Sequence, residues 1–171
     1  MANDTSPSCF VEPVRAVSRR LVRELGFMQG MLAGTDLAPS AVHALVEIGA
    51  RDGITAGELS DLLILEKSSV SRMLAKLVKA GEIMEGSGKQ DGRTKPLCLT
   101  ARGRATLARI DGFARRQVLD ALRHIGADQH QTVIEGLRLY ADALGADRIG
   151  GEAGRAAVAI EAGYRPGAIG R

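Results

Sequence analysis

The chain has 171 residues, 45% of them apolar and 25% charged, with a formal net charge of +3. That balance bounds it to one ordinary globular domain plus extensions. No apolar run approaches the ~20 residues that cross a bilayer, and the polar start Met1 to Ser8 lacks the charged-then-apolar order of a signal peptide. The two cysteines, Cys9 and Cys98, form neither a disulfide framework nor a metal-ligand spacing, so a reducing, cytoplasmic setting with no membrane partner and no cofactor is expected. Aromatic residues make up only 3% and Trp is absent, so the core must be built from Leu, Val, Ile, Ala and Met.

After a flexible leader over 1–9, Val14, Val17, Leu21, Leu25, Met28 and Leu32 recur at helical spacing and predict one long amphipathic helix, roughly 10–33. Arg15, Arg19, Arg20, Arg23 and Glu24 fall on its other faces. Residues 34–38 end it. Pro39 suits the first turn of a second helix with Val42, Leu45, Val46 and Ile48 as apolar positions, its end bracketed by Gly49 and Gly53. Thr55-x-x-Glu58 is a capping-box pattern, which opens a third helix carrying Leu59, Leu62 and Leu63. A break at Leu65-Glu66 precedes a fourth helix with Val70, Leu74, Leu77 and Val78 inward, closed by Gly81. Ser69, Arg72 and Lys76 then face outward. Strands over 82–85 and 95–100 flank a loop with Gly86, Gly88 and Gly92.

Thr100 can cap a long fifth helix with Leu107, Ile110, Val118, Leu122 and Ile125. Gly126 interrupts it, and Asp128-x-x-Gln131 patterns another capping box for a sixth helix with Val133, Leu137, Tyr140 and Leu144. The first helix and the last two carry more apolar surface than the compact middle can bury, and helix-to-helix dimerisation would bury it. From Gly145 onward seven glycines occur in the final 27 residues. Residues 146–155 read as a linker and 156–161 as a short strand, followed by a turn at Arg165-Pro166-Gly167. One strand cannot stand alone in water, so this tail is either disordered or paired with something outside the given residues. The predicted fold is mainly α: a winged helix-turn-helix of six helices with a small β-wing and a helical dimerisation stalk. The domain spans 10–145 and its compact middle lobe about 39–100.

Charge concentrates on that lobe. Between Lys67 and Arg104 nine basic residues meet three acidic ones, leaving 14 basic and 17 acidic residues for the rest of the chain. A basic face on a mildly acidic body is the electrostatic footprint of nucleic-acid binding. A recognition helix must be thin-skinned where its backbone approaches base edges. Lys67-Ser68-Ser69-Val70-Ser71-Arg72 meets that need, and an Arg can bind guanine O6 and N7 in bidentate fashion. Lys76 and Lys79, further along, suit phosphate contacts. The alternative for this helix alone is an ordinary surface helix rich in Ser and Lys. The wing tips the balance. Lys89, Arg93 and Lys95 charge a turn-rich loop suited to the narrow minor groove, with Lys89 and Lys95 as phosphate contacts. Asp91 is read as the partner that orients Arg93, or as a turn residue, since Asp-Gly is a common hairpin dipeptide.

The run Leu59-Ser60-x-x-Leu63-x-Leu65-Glu66-Lys67-Ser68-Ser69-Val70-Ser71-Arg72, the Asp91-x-Arg93 wing and the Leu97-x-Leu99-Thr100-x-x-Gly103 segment resemble the MarR family of bacterial transcription regulators. The similarity covers roughly 10–145 in motif order. Ile64 departs from it, standing where helix-turn-helix turns often carry Gly. The resemblance implies a homodimer held by the terminal helices, reading a palindromic double-stranded DNA operator, with affinity modulated by a small ligand, oxidation or a metal. Phe27, Met28, Met31, His43 and Phe113 are candidates to line such an effector pocket, although apolar positions at helical spacing are more often simple core.

Cys9 lies roughly where peroxide-sensing relatives place a reactive cysteine, but no nearby residue favours a thiolate, and a structural role is the better reading. His43, His124 and His130 are scattered without a carboxylate or thiol at ligand spacing. Val158 to Arg171 resembles, over a short match, the opening strand and turn of the GNAT acetyltransferase domain fused behind some MarR-type regulators. That suggests a truncated or degenerate fusion. No acetyl-CoA-binding signature accompanies it, and no enzymatic activity is assigned. The competing readings are therefore the regulatory part of a MarR–GNAT fusion and a winged-helix protein-interaction module.

Overall fold

The computed structural model describes residues 6–29, 31–86 and 95–155. The chain divides into two compact units, Met1–Val118 and Leu119–Arg171. The expected strand at 156–161 and the GNAT-like tail lie outside the described residues.

The first unit holds a 3-10 turn at Pro7–Phe10, then α1 (Val11–Glu24), α2 (Pro39–Ala50), α3 (Ala56–Leu63), α4 (Lys67–Lys79), β1 (Ile83–Glu85), β2 (Leu97–Leu99) and most of α5 (Ala101–Leu122). Helix α1 is shorter than its apolar spacing predicts, and the leader is not wholly irregular, since residues 7–10 already turn. The reason for the early stop is Gly26. It adopts φ +85°, a conformation that costs glycine little, and closes α1 with two bonds. Its N–H donates to the Arg23 carbonyl at 3.0 Å, and the Phe27 N–H donates to the Val22 carbonyl at 3.2 Å. Apolar periodicity continues past that point, but the backbone does not.

Helices α2, α3 and α4 pack around one core. Val42, Ala44, Leu45 and Ile48 of α2 meet Leu59 of α3, Val70, Leu74 and Leu77 of α4, and Ile83, Leu97 and Ile110. The period of 3.6 that put these residues on inner faces is obeyed, with two exceptions, of which Leu62 of α3 is exposed. Val78 of α4, expected inward, is exposed too, because it lies on the flank of α4 that lines an open groove beside Glu85. The two strands pair antiparallel in the register Ile83 with Leu99, Met84 with Cys98 and Glu85 with Leu97. The Leu97 N–H also donates to the Ile54 carbonyl at 2.9 Å, tying the sheet to the segment before α3.

The wing's root is fastened to the start of α5. The Thr100 hydroxyl donates to the Gly81 carbonyl at 2.5 Å and accepts from the Gly103 N–H at 3.0 Å, so it caps α5 and closes the end of α4 together. The Thr100 N–H donates to the Glu82 carbonyl at 3.0 Å. Gly103 is required here, since a Cβ would overlap that same carbonyl oxygen.

In the second unit the end of α5 is followed by a 3-10 turn at Ala127–Gln129 and by α6 (His130–Arg155). The expected capping box at Asp128 does not form. Asp128 sits inside the 3-10 turn, α6 begins only at His130, and Gln131 donates to Glu135 at 2.9 Å. His130 Nε2 lies 3.2 Å from the carbonyls of both Leu122 and Ile125. The linker expected at 146–155 is also corrected, because α6 runs through it. Each glycine in a helix costs about 1 kcal/mol, which raises the free energy of propagation without stopping it. No proline stands between Gly145 and Arg155 to enforce an end.

Candidate nucleic-acid interface

The capping box at the head of α3 is complete. The Glu58 N–H donates to Thr55 Oγ1 at 3.3 Å, and the Thr55 N–H donates to Glu58 Oε2 at 2.8 Å. Those bonds from Thr55, the backbone one first and the hydroxyl second, hold the Glu58 carboxyl below its ordinary pKa. At its other end α3 turns into α4 through Ile64, which adopts φ +56°, ψ +45°. The closing bonds are the Leu65 N–H to the Ser60 carbonyl at 3.1 Å and the Ile64 N–H to the Asp61 carbonyl at 3.3 Å. Buried Ser60 adds a third, donating its hydroxyl to the Leu65 carbonyl at 2.7 Å. A β-branched residue therefore occupies a left-handed position that glycine would fill without strain. The departure seen in sequence at Ile64 changes the residue, not the turn.

That turn presents α4. With Val70, Leu74 and Leu77 in the core, Lys67, Ser68, Ser71, Arg72 and Lys76 are exposed and Ser69 is half-buried. Arg72 Nη2 donates to the Ser69 hydroxyl at 3.3 Å, its one hydrogen bond among the described residues. The N-cap residue, Glu66, makes no side-chain cap bond. The Ser69 N–H donates to the Glu66 carbonyl at 2.9 Å, and the first turn carries no side-chain cap at the positive end of the helix dipole, an arrangement suited to an anion.

Of the wing residues, Lys89, Asp91 and Arg93 lie outside the described residues. Lys95 is exposed, and its ammonium donates to Glu85 Oε2 at 2.8 Å across the strand pair. The bond and charge of Glu85 raise the Lys95 pKa, so it stays protonated at any physiological pH. Sequence reading missed this partner, although a basic and an acidic residue at the ends of adjacent antiparallel strands is a sufficient signal. It also missed Glu82. Strand alternation puts Glu82 on the side of exposed Met84, yet Glu82 is buried and its Oε1 accepts from Arg102 Nε at 3.0 Å.

The residues expected to form an effector pocket are brought together only in part. The Phe27 ring and the His43 imidazole stack, with centroids 5.6 Å apart and planes 6° from parallel. Met28 and Met31 are exposed. Phe113 lines a cavity of about 380 Å³ with Ala33, Gly34, Ala108, Arg109, Gly112 and Arg116. Among the described residues no group of His, Cys, Asp and Glu could hold a metal ion, and no helix is long and apolar enough to cross a membrane.

Residues 35–94, which span α2 to the wing, match the profile of the MarR family. Uncharacterized HTH-type transcriptional regulators of Bacillus cereus and Bacillus anthracis are 35% identical to the chain over 74 residues, 43% of this chain. The chain spans about half the length of these curated relatives, 48%. Among solved structures, Streptococcus pneumoniae FabT in complex with DNA superposes with a TM-score of 0.69 at 20% identity, covering 79% of this chain and 96% of that one. CouR, a transcriptional repressor bound to a 23-mer DNA duplex, gives 0.64 at 26% identity, covering 74% and 89%. A MarR protein from Peptoclostridium difficile gives 0.61 at 21% identity, covering 84% and 92%. The matched segment coincides with helices α2 to α4 and the strand that follows them, and over residues 35–94 the chain is similar to the MarR family.

Proposed function

We propose that this chain is a DNA-binding transcription regulator that acts as a repressor, binding a palindromic operator as a homodimer and released from it by a small ligand. The observation that carries the reading is the outer face of α4. Lys67, Ser68, Ser71, Arg72 and Lys76 stand exposed along it while the inner face is locked into the core. Two of the similar structures are DNA complexes.

In this reading Lys67, Ser69, Ser71 and Arg72 enter the major groove. Lys76, Lys89 and Lys95 contact phosphates, Arg93 reaches the minor groove, and Asp91 orients it. Lys95 must exchange Glu85 for a phosphate, or hold both. The stacked Phe27 and His43 form one wall of the ligand site. Fluorescence anisotropy with fragments of the adjacent intergenic region, repeated over a range of salt, tests the proposal. Binding with a log–log salt slope of about −0.9 per phosphate contact is expected. Absence of binding to any fragment at low salt would instead favour the protein-interaction module.

A further inference from the structure

We propose that the cavity between residues 35–37, the end of α4 and the first turns of α5 binds a small zwitterion of the α-amino acid class. The cavity measures about 510 Å³ and includes Asp36, Glu82, Arg102, Thr106 and Arg109 in its wall. Its centre of interest is Glu82. The side chain is 6% exposed, Oε1 is held by Arg102, and Oε2 is buried without a hydrogen-bond partner. Thr106 is also buried, and its hydroxyl makes no hydrogen bond among the described residues. Arg109 reaches only the Gly34 carbonyl, at a long 3.5 Å. Asp36 is exposed and makes no ion pair among the described residues.

A buried polar atom left without a partner costs free energy that a suitable occupant recovers. The charges in the wall decide which occupant is suitable. An apolar molecule leaves both Glu82 Oε2 and the Thr106 hydroxyl unsatisfied. A simple anion meets two carboxylates, and a simple cation meets two guanidiniums. A molecule carrying both an ammonium and a carboxylate satisfies Glu82, Thr106 and Arg109 together. Its ammonium donates to Glu82 and to the Thr106 oxygen, and its carboxylate accepts from the Arg109 fork. The terminal torsion of a glutamate is soft, so a small rotation turns Oε2 toward such a donor. The volume leaves room for the ligand's side chain. The occupant would touch the root of the wing through Glu82 and the first turn of α5 through Arg102.

Binding is read without DNA, so this proposal stands or falls independently of the operator reading. The full chain is titrated calorimetrically with each proteinogenic L-amino acid, and with n-butylamine and butyrate as single-charge comparators. At least one amino acid should bind saturably and the comparators should not. Arg109→Gln and Glu82→Gln should each weaken that binding by about tenfold or more, with circular dichroism showing each variant folded. Arg109 is exposed, so its variant keeps the test decisive even if Glu82→Gln unfolds. The proposal is overturned if no amino acid binds at ~10 mM, if Arg109→Gln leaves the affinity unchanged, or if n-butylamine binds equally well. Glu82 Oε2 would then be satisfied by a hydration water only.

Discussion

Arg72 extends from the outer face of α4, and its one hydrogen bond among the described residues is to the Ser69 hydroxyl, so removing it should disturb little of the fold and its loss should be read mainly in binding. Arg72→Ala should weaken operator binding by ~1–3 kcal/mol and relax preference at one base pair. A binding-site selection that returns the same consensus for the variant would end that assignment. Ile64 offers a stability test on the adjacent turn. Its left-handed backbone costs a non-glycine residue ~1–2 kcal/mol, part of which a glycine would return as unfolded-chain entropy. Because the Ile64 side chain is 64% exposed, little packing is lost, and Ile64→Gly should raise stability by about 0.5–1 kcal/mol in urea unfolding. A lowered urea midpoint would mean the side chain contributes more than its exposure suggests. The Thr55 and Glu58 pair was legible because a capping box needs only four consecutive residues. Glu82 was not, because its burial depends on Arg102 twenty residues away and on the packing of α5 against the wing root.

At the scale of elements, the head of α3 has a pH signature. Glu58 titrates below its ordinary value in the folded chain. Its contribution is therefore fully present above the unfolded pKa near 4.5 and lost as pH falls through the depressed folded value. Glu58→Gln should lie below the parent in melting temperature at neutral pH, and the gap should close as pH drops through that range. A gap independent of pH would show that the carboxylate's charge plays no part in the cap. Helices α2 to α5 were readable from apolar period and caps, since each buries a face in the common core. The end of α1 was not, because apolar spacing persists through Met28 and Leu32 while the φ of Gly26 turns the backbone away. Helix α6 erred in the opposite sense: glycines that lower helix propensity were read as a linker, yet no proline forces the helix to stop.

At the scale of the molecule, α1 has no buried residue although Val11, Val14, Val17, Leu21 and Val22 line it, and α6 leaves Ile134, Leu137, Leu139, Tyr140 and Leu144 exposed. Apolar surface of this extent on two helices is the basis of the proposed homodimer. Sedimentation velocity should show the parent as a dimer, and Leu21→Glu or Leu137→Glu as monomers with weakened operator binding. A parent that stays monomeric at every accessible concentration would remove the dimer, and with it the expectation of a palindrome.

The fastening of the wing's two ends has a practical consequence. The Gly86 N–H donates to the Pro96 carbonyl at 2.8 Å, and the strand pair and Thr100 hold the segments behind them. Closure entropy grows by only about 0.6 kcal/mol per doubling of loop length. A charge-neutral epitope inserted between Gly86 and Lys95 is therefore expected to leave the urea midpoint nearly unchanged while giving an antibody handle beside the proposed DNA face. A large loss of stability on insertion would mean that the intervening residues are part of the fold.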